Sequence, residues 1–305
     1  MKAACFHQRG GSEALVIDDV PMPEPAEGEV LIQVHAAGVT PTELLWMPTW
    51  STPEGNARPF PIIPGHEVSG IVRRVGSGVT TFSPGDAVFG MNDWFGNGAQ
   101  AEYCVARVAE IAAKPASIDH ALAAISPISG LTAWQGLIDR ARLARGERVL
   151  IHGGAGGVGS FAVQIASWRG AEVIATASAH NLDFVRNLGA EEVIDYQADS
   201  FLEAVGCVDV VFDTVGGETL ARSWDALKPG GRMVTIAASG EAAKEPRVKD
   251  AFFIVEPNAE QLANLAAMVV AGQIRPVDGE VFSLEEASQA YLRKPTRGKN
   301  VILIA

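Results

Sequence analysis

Cysteine is scarce in this sequence: there are three in 305 residues, Cys5, Cys104 and Cys207, far apart and with no CxxC pair. Three cannot all pair within one chain, which argues against a secreted disulfide framework and excludes a four-cysteine structural zinc site. Positive charge is also short, with 24 Lys and Arg against 36 Asp and Glu and a formal net charge of −12. So acidic a surface repels phosphate backbones, so nucleic acid is not expected as a partner. An anionic ligand must instead meet a local positive site made of backbone N–H groups and a few side chains. No stretch approaches the ~18 consecutive apolar residues of a membrane span, so no membrane partner is expected. The opening residues, Met1-Lys2-Ala3-Ala4-Cys5-Phe6-His7, have no long apolar run and read as a first strand. A cytoplasmic enzyme is the expectation. Low-complexity tracts and internal repeats are missing too.

What is present is the composition of a folded α/β chain, 48% apolar and 20% charged. Its length allows two domains at about 150 residues each. Thirty-two glycines and seventeen prolines imply many turns. Up to residue 117 the pattern is short, alternating and turn-punctuated, with strands expected at 30–34, 70–75 and 86–89. From 118 the texture changes. Helices at 118–125 and 131–143 precede a strand at 148–152, a glycine-rich turn, a helix at 160–169 and a strand at 172–177. The alternation continues through strands at 192–194, 208–212 and 232–237, with helices at 181–188 and 220–227 between them. Such alternation means a parallel sheet covered by helices. A last helix at 259–271 and a strand pair ending at 301–304 close the chain.

The turn Gly154-Ala155-Gly156-Gly157-Val158-Gly159 follows a β-branched strand and opens a helix, the context a dinucleotide fingerprint requires. In that pattern Gly154 allows the tight turn, Gly156 lets the backbone approach a pyrophosphate, and Gly159 lets helix and strand pack closely. The helix N-terminus offers free N–H groups and partial positive charge to the phosphates. Cofactor choice is read about twenty residues on, where an NAD site carries Asp or Glu for the ribose hydroxyls. Here the strand ends Ala175-Thr176-Ala177-Ser178-Ala179-His180-Asn181, without a carboxylate. Ser178 can donate to a 2′-phosphate that an acid would repel, so NADPH is the expected cofactor. No Lys or Arg stands in that loop, and the charge is left to His180, Arg186 or the distant Lys299.

The stretches Pro64-Gly65-His66-Glu67-Val68-Ser69-Gly70, Pro84-Gly85-Asp86-Ala87-Val88 and Leu131-Thr132-Ala133-Trp134 resemble the medium-chain dehydrogenase/reductase superfamily. So do the glycine turn, Leu188-Gly189-Ala190, Asp213-Thr214-Val215-Gly216-Gly217 and Gly298-Lys299-Asn300-Val301, a set spanning nearly the whole chain. The set looks most like the zinc-free quinone oxidoreductase branch, which includes zeta-crystallin. The resemblance implies a GroES-like β domain from 1–117 plus 260–305 and an inserted Rossmann domain, 118–259, with the active site in the cleft. It further implies that Ser178 and Tyr196 line the 2′-phosphate pocket and that Thr132 sits by the nicotinamide. Ala237, Phe253 and Val255 would contact the ring or its ribose through backbone groups, Asp213 to Gly217, with Thr214 and Val215 among them, would line the groove, and the protein would be a homodimer. Thr40 stands where such reductases often carry Asn.

His66 matches a metal ligand of the zinc alcohol dehydrogenases, but the partner positions read Thr40 and Ile128, and catalytic zinc needs about three protein ligands. No metal is expected. Without a Lewis acid the chemistry favours electron-poor acceptors, quinones or alkenes conjugated to a carbonyl, with Thr40, Thr42 and His66 as candidate polar groups. Trp46, Trp50, Trp94 and Phe95 fall in loops of the β half and are read as flat walls for a planar substrate. Glu43 reads as a solvated or capping carboxylate. Two other functions stay open: an alcohol or aldehyde dehydrogenase, and a non-enzymatic NADPH-binding protein of crystallin or sensor type.

Overall fold

In the computed structural model, which describes residues 1–238 and 244–304, alternating apolar residues in the first hundred positions form strands of an antiparallel sheet. Lys2–Phe6 (β1) and Leu15–Asp19 (β2) make a separate two-stranded pair. The large sheet takes Glu29–Gly38 (β3), Glu67–Val75 (β4), Ala87–Met91 (β5), Tyr103–Arg107 (β6) and Ile111–Ala113 (β7). Val30, Ile32 and Val34 alternate inward along β3 and meet Val68 and Val72 of β4 and Val88 of β5 in one fully buried layer. The period-2 pattern thus sets which face is core.

The next strands behave differently because both of their faces are covered. Arg148–Ile151 (β8), Glu172–Ala177 (β9), Glu192–Asp195 (β10), Val208–Asp213 (β11) and Leu227–Thr235 (β12) form a sheet in the order β10-β9-β8-β11-β12, parallel throughout. Continuous apolar runs such as Val149-Leu150-Ile151 and Val210-Val211-Phe212 have no exposed surface. The strand order reverses direction between β8 and β11, and ligands of such sheets bind outside the carboxyl ends at that point. Asp278–Ser283 (β13) and Lys299–Leu303 (β14) then return to the first sheet, where β14 lies between β13 and β3.

Two compact units result: Met1–Ile128 with Pro257–Ala271 and Pro276–Ala305, and Ser129–Glu256 with Gly272–Arg275. The boundary falls eleven residues later than the change of sequence texture at 117. The reason is burial: Ala124 and Ile125, from the helix His120–Ala124 and its cap, pack on Ala36 of β3 and Val301 of β14. The helix expected over 131–143 is also interrupted. Pro127–Trp134 is α-helical and Gln135–Arg140 continues as a π-helical turn. Gln135 there exchanges hydrogen bonds with the backbone of Glu256, at 2.7 and 3.0 Å. Among the described residues no helix is long and apolar enough to cross a membrane.

His152, directly after β8, locks the strand end into place. Ser223 Oγ donates to the Thr219 carbonyl at 2.6 Å, so it accepts from His152 Nε2 at 2.9 Å. Nδ1 must then accept from the Thr176 hydroxyl at 3.2 Å, while Gly153 N–H donates to the same hydroxyl oxygen at 3.2 Å. The chain of donors admits one neutral tautomer. Burial pushes this imidazole from 6.5 down to about 4, against a smaller opposing effect of Asp213. The unfolded chain takes up a proton near pH 6.5 that the folded one refuses, so this contribution to stability is present above about 6.5 and lost as pH falls toward 4. Urea unfolding at pH 7.5 and pH 5 is expected to give a lower stability at pH 5. A His152→Phe variant should show a smaller difference between the two, and should lose about 1–3 kcal/mol at pH 7.5 from its unpartnered hydroxyls. An unchanged pH difference in the variant would rule out this role.

Candidate active site

The glycine turn sits at the carboxyl end of β8. Gly153 adopts φ 74°, so the left-handed residue the turn needs is Gly153 and not Gly154, to which the spacing assigned it. Gly154 is constrained by packing instead: a Cβ there would press on Val185 and Ala175 at 3.0 and 3.1 Å. Gly159 has no room at all, since its Cβ would lie 2.0 Å from the Gly153 carbonyl oxygen. Gly156 is exposed, and among the described residues a Cβ on it would touch only that same oxygen, at 3.4 Å. The helix Gly157–Arg169 begins here, earlier than the expected 160, with Gly156 as an N-cap that no side chain satisfies. The first-turn N–H groups of Gly157, Val158 and Gly159 therefore offer an open anion cradle beside buried Ala155.

Around this turn the neighbouring strand ends converge. Asp195 pairs with Ala177 in the β10–β9 register, so Ser178 and Tyr196 leave adjacent strands side by side, and Tyr196 is 57% exposed. Ser178 Oγ is contacted by His180 Nε2 at 3.3 Å and by Asn181 Nδ2 at 3.2 Å. The carboxylate of Asp195 turns back onto Gln197 N–H at 3.1 Å. Arg186 is paired with Asp183 at 2.7 Å. After β11, Thr214 donates to the His152 carbonyl at 2.7 Å and Val215 is exposed. Asp213, expected along the groove, is instead wholly buried. It accepts from Val215 N–H, Gly216 N–H and Thr235 Oγ1, bracing the turn from within. Thr235 Oγ1 in turn accepts from Ala237 N–H at 3.1 Å. Phe253 and Val255 bury their side chains, Phe253 N–H donating to the Thr235 carbonyl at 3.3 Å, and Thr132 is buried on its helix.

The β unit carries a second polar cluster, inside its core. Glu67, the first residue of β4, has no exposed surface; Lys299 of β14 places its ammonium on Oε2, and Thr40 donates to the same oxygen at 3.4 Å. Oε1 accepts from Ile128 N–H at 2.9 Å. Lys299 is 8% exposed and its charge is committed to Glu67, so it does not serve as the cation for a 2′-phosphate. Beside it Glu43 is also buried rather than solvated. It accepts from Tyr291 OH and, at 3.2 Å, from Gly65 N–H, and Gln100 Nε2 donates to Tyr291 at 2.6 Å. Burial raises the Glu43 carboxyl to about 7, against the lowering effects of Tyr291, Gly65 and Lys299. Sequence reasoning missed this triad because its members are 43, 100 and 291 and carry no local signal.

His66 is 2% exposed, and burial, then the Arg58 guanidinium, push its imidazole down to about 4. At neutral pH it is uncharged. Trp94 lies 5.2 Å from it, ring to ring, and Trp46 meets Trp94 edge-on at 5.2 Å. Trp46, Trp94 and Phe95 are half-buried, and Thr42 is exposed. Trp50 does not join this wall. It is 6% exposed, packs on Phe6 at 5.1 Å, and donates to the Leu44 carbonyl at 2.7 Å, all within the core. The donor set around His66 does not fit a catalytic zinc. Thr40 and Glu67 are bound to each other, Ile128 offers no side-chain ligand, and Glu67 already holds a cation. Among the described residues no three His, Cys, Asp or Glu side chains gather to hold a metal ion.

Known proteins agree with this architecture. The alcohol dehydrogenase GroES-like domain model matches residues 26–116 and the zinc-binding dehydrogenase model residues 188–302. The quinone oxidoreductase of Rattus norvegicus is 32% identical, covering 95% of this chain and 93% of its own. The chloroplastic NADPH-dependent alkenal/one oxidoreductase of Arabidopsis thaliana is 32% identical, over 91% of this chain and 71% of its own. The structure of the quinone oxidoreductase from Coxiella burnetii superposes with a TM-score of 0.89 at 33% identity, over 100% of this chain and 99% of that one. The β unit is thus a GroES-like domain and the parallel sheet a Rossmann-like one, with the nicotinamide dinucleotide cofactor that this fold pairing carries. This chain belongs to the quinone oxidoreductase branch of the medium-chain dehydrogenase/reductase superfamily.

Proposed function

We propose that this protein is a zinc-independent reductase that passes hydride from NADPH to quinones or α,β-unsaturated carbonyls such as enones and 2-alkenals. One observation carries the reading: the carboxylate beside His66 already holds the Lys299 ammonium and the Ile128 N–H, which leaves no ligand set for a Lewis acid. The names of the rat and Arabidopsis relatives support the same acceptor class.

When bound, the nicotinamide supplies the hydride; the chain supplies position, electrostatics and a dry wall. The N–H groups of Gly157, Val158 and Gly159 receive the pyrophosphate, with Gly156 bare to let it approach. Ser178 and Tyr196 receive the 2′-phosphate, and the turn of Asp195 onto Gln197 keeps its charge occupied. Thr214, Val215, Ala237 and the backbone at Phe253 and Val255 flank the remaining length, with Thr132 toward the nicotinamide end. In the β unit Trp46 and Trp94, set nearly perpendicular, form an apolar corner whose ring faces wall the acceptor, with Phe95 beside them. Neutral His66 and the exposed hydroxyl of Thr42 are the polar groups available to a developing enolate or hydroquinone oxygen, since Thr40 spends its hydrogen on Glu67. A quinone needs no protein acid there, because its reduced oxygen is resonance-stabilised and takes a proton from water. We place the protein in the cytoplasm as a homodimer that pairs through an edge of the Rossmann sheet, whose outer strands are β10 and β12.

An acceptor panel run with NADPH and NADH on metal-analysed protein tests the reading. Steady NADPH oxidation with a benzoquinone or a 2-alkenal is expected, unaffected by chelator; activity only with alcohols and added zinc would replace it. Ser178→Asp should raise the KM for NADPH on the order of tenfold or more through charge repulsion and leave NADH kinetics little changed. Trp94→Ala should raise the quinone KM while NADPH affinity stays constant; wild-type substrate kinetics in that variant would remove Trp94 from the wall.

A further inference from the structure

Arg58 is buried, 8% exposed, and none of its hydrogen bonds goes to a carboxylate. Nη1 donates to the carbonyls of Pro48 and Thr49 at 3.1 and 3.3 Å. Nη2 donates to the Gly96 carbonyl at 2.7 Å and to Asn97 Oδ1 at 3.2 Å. One planar fork thus holds two loops that lie some forty-five residues apart in the sequence. The first loop carries Trp46, two residues before Pro48; the second carries Trp94, two before Gly96. Asn97 Oδ1 also accepts from Ile63 N–H at 3.1 Å, which extends the tie to the strand leading into Pro64-Gly65-His66. A buried guanidinium whose hydrogen bonds all go to neutral acceptors, with the Asp93 carboxylate acting on it only through space, is costly unless its geometry is needed. Four acceptors on two sides suit the rigid guanidinium and exceed what one ammonium can reach.

We propose that Arg58 is a positioning residue for the acceptor site: by clamping the two segments it fixes the edge-on contact of Trp46 and Trp94, and with it the shape of the apolar corner that receives flat acceptors. The assignment rests on the quinone and enone reading given above. Its positive charge has a second effect, since the guanidinium adds to burial in keeping the His66 imidazole uncharged. Among the described residues the hydrogen bonds of Arg58 go to Pro48, Thr49, Gly96 and Asn97 and to neither indole. It acts through the main chain of the loops.

The experiment compares wild type with Arg58→Lys and Arg58→Gln, using Trp46→Phe as a control. The edge-on tryptophan pair should contribute an exciton couplet in circular dichroism, read as the difference between wild type and Trp46→Phe, in which the couplet of the Trp134–Trp168 pair cancels. Both Arg58 variants should lose most of that couplet and raise the KM for 1,4-benzoquinone on the order of tenfold, with the dissociation constant of NADPH unchanged. The proton NMR titration of His66 should stay low in the Lys variant and move up in the Gln variant, which separates charge from clamp. A Lys variant with wild-type couplet and wild-type KM overturns the proposal. If the Gln variant does not fold, Asn97→Ala replaces it, because it removes one arm of the clamp and keeps the charge. Should the wild type reduce no quinone or enone, the functional reading fails while the couplet still decides whether Arg58 sets the ring spacing.

Discussion

A carboxylate withdrawn from water must be given a counter-charge and hydrogen bonds, or the structure around it yields. Glu67 receives both, and what supplies them explains much of the β unit. The ammonium comes from Lys299 at the start of β14, one N–H from Ile128 at the exit toward the second unit, and a hydroxyl from Thr40 at the start of the segment that leads to Trp46. Three distant parts of the sequence are thereby fixed around one residue. Its neighbour His66 takes up the position between this polar cluster and the aromatic pair.

The parallel unit depends on a different device. Its ligand-facing end is shaped by residues that face inward: His152 and Thr176 hold the base of the glycine turn, and Asp213 holds the turn that carries Val215. The outward positions, Gly156 and Val215 among them, are then left bare or apolar. Polar braces below and uncapped N–H groups above are two sides of one arrangement, since a turn that spent its own donors on itself would have none for a phosphate.

The parallel sheet, the early strands and the site of the glycine turn were legible in the sequence because each rests on local periodicity or on local backbone demand. Gly159 is the clearest case, a glycine whose reason, contact with the Gly153 carbonyl, lies within six residues. The error over Gly154 and Gly153 arose because spacing alone does not say which glycine of a run turns left-handed. The domain boundary at Ile128, the triad of Glu43, Tyr291 and Gln100, and the pairing of Lys299 with Glu67 were not legible, since each joins residues whose proximity only the closed fold creates. Trp50 shows the same limit from the other side. A loop tryptophan has the same sequence signature whether it faces a substrate or, as here, Phe6.

The position of β14 in the interior of the large sheet, between β13 and β3, has a consequence for how the chain is made. A ribosome delivers β3 and β4 first and β14 last, more than two hundred residues later. Until then the edge of β3 that β14 covers is unpaired, and Glu67 has no ammonium. The Rossmann-like unit, nearly continuous from Ser129 to Glu256, meets no such delay. Synthesis order therefore favours an inserted domain that closes before its host, with the host's exposed edge and unneutralised carboxylate waiting on the final segment. Chaperone dependence in this protein is expected to reside in the β unit, where folding can end only after β14 has been made.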